Sequence, residues 1–173
     1  MKKVTIILTG VILMSIASLN ANAQGGPKTA TAVTNATIIT PIAITKTVDL
    51  NFGNIAALTT VATVTVNPAG IRSSSNALSL PTATPGTISA ASFTVTGLAN
   101  ATYSIVLPSA FNVTSGGNTM EVNSFTSTPT PNGLLTAAGT QNLTVGASLI
   151  VGANQAAGTY TNANALSVTV AYN

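Results

Sequence analysis

Cysteine, histidine and tryptophan are all absent from this chain of 173 residues, and charged residues make up only 4% of it. Without cysteine there is no disulfide, no thiolate nucleophile and no thiolate ligand for zinc, so stability has to come from packing and sheet hydrogen bonds. Without histidine no side chain titrates naturally near neutral pH as a general base. A serine nucleophile would therefore lack its usual base, and no Ser-x-x-Lys motif replaces it. Asp49 and Glu121 are the two carboxylates, far apart in sequence and each solvent-facing in a strand pattern. They make neither a catalytic pair nor an acidic metal cluster. Asn67-Pro68-Ala69-Gly70 is not followed by the Gly-Lys-Ser/Thr of a phosphate loop. These absences exclude an enzyme by any familiar mechanism, and no catalytic, metal or cofactor-binding residue is expected.

The few positive charges are unevenly placed. Lys2 and Lys3 precede a mostly apolar run, Val4 to Leu19, and Ala21-Asn22-Ala23 follows as a small-x-small cleavage site. This is the pattern of an export signal occupying residues 1–23, with a mature chain from Gln24 forming one domain over 24–173. No cysteine follows the apolar run to carry a lipid, and no later run is long enough for a membrane-spanning helix. Beyond the signal, Lys28, Lys46 and Arg72 face Asp49 and Glu121, a net charge of only +1. A nucleic-acid-binding role loses its electrostatic basis. A surface built on Thr, Ser and Asn offers little like-charge repulsion between copies, so self-association is expected.

Thr, Val, Ala and Ile dominate what is present, cut every 8–15 residues by Gly, Pro or Asn. That pattern predicts many short strands, and no stretch carries the capped i, i+3, i+4 rhythm of a long helix. Gln24 to Lys28 reads as a flexible leader. Thr29 to Ile39 reads as a first strand with Ala30, Ala32, Ala36 and Ile38 on one side. Further strands are expected at Ile42–Ile44, Val48–Phe52, Thr60–Val66, Ala77–Leu80, Ser92–Thr96, Thr102–Leu107, around Phe111–Val113, and from Met120 to Phe125. Leu143 to Val151 should turn Leu143, Val145, Ala147, Leu149 and Val151 inward. Asn67 to Gly70 and Ser115 to Asn118 are turn signals, and Thr126 to Gly133 is the most loop-like stretch. The last strand, Ala163 to Asn173, places Leu166, Val168, Val170 and Tyr172 on one face. Eight to ten short strands in one domain predict an all-β, immunoglobulin-like antiparallel sandwich. A closed outer-membrane barrel is the rival fold, but it would need aromatic girdles. The seven aromatics of 24–173 sit instead at core positions. Four Asn-x-Ser/Thr sequons, at Asn35, Asn100, Asn112 and Asn142, are assigned no role in so threonine-rich a chain.

Several stretches taken together resemble a family of secreted bacterial proteins known as domain of unknown function 4402. They are Leu50-Asn51-Phe52-Gly53-Asn54-Ile55, Ser92-Phe93-Thr94-Val95-Thr96-Gly97, Tyr103-Ser104-Ile105-Val106-Leu107-Pro108, Val145-Gly146-Ala147-Ser148-Leu149, Gly158-Thr159-Tyr160 and Val168-Thr169-Val170-Ala171-Tyr172-Asn173. That family implies no established activity. More loosely, Gly-x-Tyr followed by an alternating strand with a penultimate tyrosine is similar to the end of chaperone–usher and spore-coat-U-like pilus subunits. In those subunits a neighbour's N-terminal extension completes the fold by β-strand addition.

The second resemblance implies an exported structural subunit of a cell-surface fibre, located in the periplasm or on the surface of a Gram-negative bacterium. Its partners would be homologous subunits, a periplasmic chaperone and an usher. The donor would be residues 24–39, through Ala30, Ala32, Ala36 and Ile38, and the acceptor side would include Leu166, Val168, Val170 and Tyr172. This sequence departs from those subunits in lacking their common cysteine pair and in having an alanine-rich donor face. The alternative is a self-sufficient monomeric sandwich acting as a secreted surface or adhesion module of unknown ligand.

Overall fold

The computed structural model describes residues 26–163 and 165–173, so the expected export signal over 1–23 lies outside the described residues. The chain divides into two units, Met1–Thr37 and Ile38–Asn173. In the first unit residues 26–37 form no strand and are exposed throughout. The strand expected over Thr29–Ile39 is therefore not formed, and Ala30, Ala32 and Ala36 are exposed. An alternation of alanine and threonine offers too little apolar area to offset the entropy of ordering a strand.

The described residues of the second unit form an all-β sandwich of twelve strands, ten of them three residues or longer. They are β1 (Ala43–Val48), β2 (Asn51–Phe52), β3 (Ala62–Val66), β4 (Arg72–Ser74), β5 (Ile88–Ser89), β6 (Ala91–Thr96), β7 (Thr102–Val106), β8 (Ala110–Ser115), β9 (Asn118–Thr128), β10 (Asn132–Leu134), β11 (Thr140–Val151) and β12 (Thr169–Tyr172). The main sheet runs β1-β6-β11-β3-β4, with the β8–β9 hairpin joined to β11 through β9. A three-stranded sheet, β10-β7-β12, and the short pair β2-β5 complete the unit. All recorded strand pairs are antiparallel.

The twelve-residue β11 organises the main sheet. Thr144 and Val145 pair with β6 and also with β9, so these two neighbours lie on opposite edges. Ser148 to Ile150 pair with β3 and also with β9. One edge of β11 thus serves β6 along its first half and β3 along its second. The changeover falls at Gly146, where a Cβ would collide with the Val66 carbonyl and the Asn67–Pro68 backbone. As the alternation requires, Leu143, Val145, Ala147, Leu149 and Val151 are all buried.

The core has two parts. The first joins Ala91, Phe93 and Val95 of β6, Tyr103 of β7, Leu135, and Leu143 and Val145 of β11. The second joins Val64, Val122, Ala147, Leu149 and Val151, with Phe111 and Phe125 stacked over it at 5.4 Å between ring centroids. Phe125 reaches this core because β9 carries an irregularity. Ser124 adopts φ 52°, and β9 has an extra residue opposite the Gly146–Ser148 stretch of β11. The bulge flips the facing of all that follows. Strict alternation had put Phe125 opposite Val122.

Several local expectations need correcting. Ala77–Ser79 is a 3-10 turn rather than a strand, begun by Asn76, whose side chain accepts from the Leu78 N–H at 3.2 Å. Thr126–Gly133 is not one loop, because Thr126–Thr128 belongs to β9 and Asn132–Gly133 to β10. Its Pro-Thr composition hid strands whose hydrogen bonds fall on the non-proline residues. The terminal strand is shorter than expected: β12 covers only Thr169–Tyr172, while Ala165–Val168 has no strand partner. Asn164 lies outside the described residues. The turn at Asn67–Gly70 is as expected, with Gly70 N–H donating to the Asn67 carbonyl at 2.8 Å and Gly70 at φ 79°.

Candidate functional site

No chemistry is gathered anywhere in the described residues. Among them no group of three or more acidic or sulfur ligands could hold a metal ion. No helix there is long and apolar enough to cross a membrane. Asp49 is exposed and paired with Lys46, three residues before it, and Glu121 is exposed and accepts from the Asn123 amide. The two carboxylates make separate local contacts with Lys46 and with Asn123.

The feature that stands out is a trench of about 1140 Å³ with a mixed apolar and polar lining. Its floor is the second core together with Ala91 and Phe93, and a smaller hollow of about 440 Å³ extends it between Ile44 and Val168. The two share Lys46, Phe93, Ala163 and Leu166, so they form one continuous depression.

Each wall has a distinct structural cause. One wall is β1 and the residues after it, down to Ala57. β1 pairs only with β6, which leaves its other edge without a strand. Arg72 fixes the far lip of this wall: its guanidinium donates to the carbonyls of Phe52 (2.8 Å), Asn54 (2.9 Å) and Pro85 (3.3 Å). Gly53, at φ 72°, lets the backbone press against that guanidinium. The opposite wall is the segment from Gln155 to Leu166. It is stapled to the β8–β9 hairpin by the Thr114–Thr161 bridge and by Gln155, whose amide donates to the Thr119 carbonyl and the Tyr160 hydroxyl. Asn162 adds a bond to the Asn112 carbonyl at 2.9 Å.

The expected assembly residues divide sharply. Leu166, Val168, Val170 and Tyr172 come together, half-buried over the first core. Ala30, Ala32, Ala36 and Ile38 are exposed, Ile38 at 99%. Tyr172 has a further role that alternation alone did not show. Its hydroxyl accepts from the Leu98 N–H at 2.6 Å and donates to the Thr40 carbonyl at 2.8 Å. It therefore ties the end of the chain to the residue before Pro41. The trench itself escaped sequence reading. Its floor residues look like those of any core strand, and only the pairing shows that the edge of β1 beside them has no strand partner.

No curated protein and no solved structure matches this chain. A family model described as Domain of unknown function (DUF4402) matches residues 42–172, nearly all of the folded unit. The match takes in β1 through β12, both walls and the floor of the trench, and on it the chain belongs to the DUF4402 family.

Proposed function

We propose that this protein is a structural subunit of a bacterial surface fibre, exported to the periplasm or cell surface and assembled by β-strand addition. The observation that carries the reading is the trench. It is a depression lined by half-buried apolar residues such as Leu50, Phe52, Phe111 and Val113 together with polar ones, and one wall carries the free edge of β1. A single extended segment would lie in the depression and pair with that edge, with alternate side chains directed inward. The near absence of charge fits a protein that packs against its own kind. Homologous subunits are the expected partners, with a periplasmic chaperone and usher as the machinery that would keep the trench covered before assembly.

A second reading has its own support. The residues of both cores are buried within the single chain, and among the described residues no buried side-chain polar atom lacks a hydrogen-bond partner. These features suit a self-sufficient secreted surface or adhesion module.

Electrophoresis of the purified protein in SDS, with and without boiling, separates the two. Strand-added polymers should run as a heat-sensitive ladder and appear as filaments by electron microscopy. A protein that stays monomeric at high concentration, with no ladder and no filaments, would establish the second reading instead.

A further inference from the structure

We infer that the sandwich can close its own open edge: Ala165–Val168, the segment leading into β12, zips onto the free edge of β1 and covers it from within the same chain. The structure is the open form, with the two edges joined at one end and parted at the other. The closure acts as a brake on assembly, and that role rests on the strand-addition reading.

Each edge is the last of its sheet. β1 pairs with β6 alone and β12 with β7 alone. They meet at one end, where the Tyr172 hydroxyl donates to the Thr40 carbonyl at 2.8 Å. Away from that point β1 runs on through Ile44 and Lys46, while the other edge runs back through Val168 and Leu166. The hollow of about 440 Å³ lies between them. The start of β1 is thus beside the end of β12, and the middle of β1 faces residues that precede β12. The two edges are antiparallel.

The same contacts set a register. Ile44 opposite Val168 and Lys46 opposite Leu166, the residues that line the hollow, lead back to Ile42 opposite Val170 and Thr40 opposite Tyr172. Opposed residues of an antiparallel pair share a face. Ile42, Ile44, Val168 and Val170 are all half-buried against the first core, whereas Ala43, Thr45, Ser167 and Thr169 are all exposed. The facing therefore already agrees on both sides of the gap.

The backbone is free to pair. Residues 42–48 and 165–172 contain no proline and no glycine. The recorded backbone bond of Ala165–Val168 is a local one, from the Ser167 N–H to the Ala165 carbonyl at 3.0 Å, which closure exchanges for ladder bonds. On the β7 side the ladder cannot grow, because β7 ends at Val106 and Pro108 follows. On the β1 side it can run as far as Lys46. There the β1–β6 ladder becomes irregular and the Lys46–Asp49 ion pair begins, and a bulge and charge both stop strand pairing.

What holds the segment back lies just upstream. Thr161 is bridged to Thr114, and the Asn162 amide donates to the Asn112 carbonyl. Both bonds tie the chain to β8, on the wall opposite β1. Ala165–Val168 is thus shared between two positions, trench wall and partner of β1. In the second it occupies the edge that an added strand would use.

The absence of native cysteine makes the test clean. In the closed register Thr45→Cys and Ser167→Cys lie directly opposite, about 4.5–5.5 Å apart at Cα, within the span of a disulfide. Ala43→Cys with Thr169→Cys is a second opposed pair. Thr45→Cys with Thr169→Cys is the control, a diagonal pair about 7–8 Å apart and beyond that span. Each full chain is oxidised at low concentration, and the monomer is analysed by non-reducing electrophoresis and mass spectrometry. Melting of the reduced forms establishes that each is folded. Internal disulfides are expected in both opposed pairs and not in the control, and faster closing is expected when Asn162→Ala removes one tie. The oxidised opposed pairs should lose the SDS-resistant ladder and regain it on reduction. A disulfide in the control pair alone would overturn the register. No internal disulfide in folded chains that still form the ladder would overturn closure and leave strand addition in place. Closure with an undiminished ladder would overturn the brake. Closure in a chain that forms no ladder, reduced or oxidised, would uphold the closure and overturn the strand-addition reading.

Discussion

The hydroxyl of Tyr172 occupies the space that a side chain on Gly97 would need. A Cβ at Gly97 would overlap that oxygen and lie 3.2 Å from the ring carbon that bears it. Gly97 follows directly on β6, and Tyr172 is the last residue of β12, so the pair is one of the contacts that join the main sheet to the three-stranded one. Glycine is required here by close approach rather than by backbone angle. The same contact directs the tyrosine hydroxyl onto the Leu98 N–H and the Thr40 carbonyl.

Gly97→Ala should consequently destabilise the fold by about 1–3 kcal/mol, the usual cost of forcing atoms into a packed site. Much of that cost should disappear when Tyr172→Phe is made alongside, since the colliding oxygen is then gone. Urea unfolding of the two single variants and the double variant gives the coupling energy directly. Additive effects would mean that Gly97 is required for some reason other than Tyr172.

Tyr103 offers a second glycine partnership. It is fully buried and lies opposite Gly133 across the β7–β10 pair, where a Cβ would overlap its ring. Its hydroxyl donates to the Gln141 amide oxygen at 2.8 Å, which also accepts from the Leu134 N–H at 2.9 Å. Burial raises the pKa of this hydroxyl above its ordinary value. The folded state therefore holds the proton more tightly than the unfolded chain does. The stabilisation this gives is fully present below about pH 10, the unfolded value, and falls as pH rises above it. Tyr103→Phe should cost about 1–2 kcal/mol at neutral pH through the lost hydrogen bond. It should also flatten the decline of stability between neutral and strongly alkaline pH. Thermal melts across that range check both effects, and an unchanged alkaline slope would remove Tyr103 as its source.

Arg72 holds the lip of the trench by charge-assisted bonds to backbone, not to another side chain. Arg72→Met keeps much of the stem and removes all three bonds. It should lower stability by about 2–3 kcal/mol. Hydrogen exchange should accelerate first at Asn54, whose N–H bonds the Pro85 carbonyl at 2.8 Å within the same lip. Uniform acceleration over β6 and β11 as well would show that Arg72 supports the whole fold and not the lip alone.

How far the fold could be read in advance depended on whether a strand's pattern was the result of burial. Leu143 to Val151 alternates because β11 lies between two neighbours and over both cores, so its facing followed from the residues. Thr29 to Ile39 alternates nearly as well but with alanine and threonine, and it forms no strand in the described structure. Period two is necessary for a half-buried strand and does not create the partner that would bury it. The facing of Phe125 was lost at Ser124, whose positive φ is uncommon for a residue with a side chain and leaves no local mark in sequence. The trench was least legible of all. It is set by which edges remain unpaired, and that is a property of the whole topology.

The exposed arm gives the sharpest separation between folding and assembly. Ile38 is 99% exposed, so Ile38→Asn removes no packing within the folded unit. Its effect on the stability of the isolated chain should lie within about 0.5 kcal/mol, as for other surface substitutions. If Ile38 enters a neighbour's trench, the same change places an amide in an apolar depression and costs about 1–3 kcal/mol at every junction. Multiplied along a polymer, that penalty should abolish the SDS-resistant ladder while the melting temperature of the monomer stays unchanged. Leu166→Asn, on the receiving wall, should also abolish the ladder, but with a measurable loss of monomer stability because Leu166 already packs on the first core. A ladder that survives Ile38→Asn would show that this isoleucine is not the residue that seats the arm.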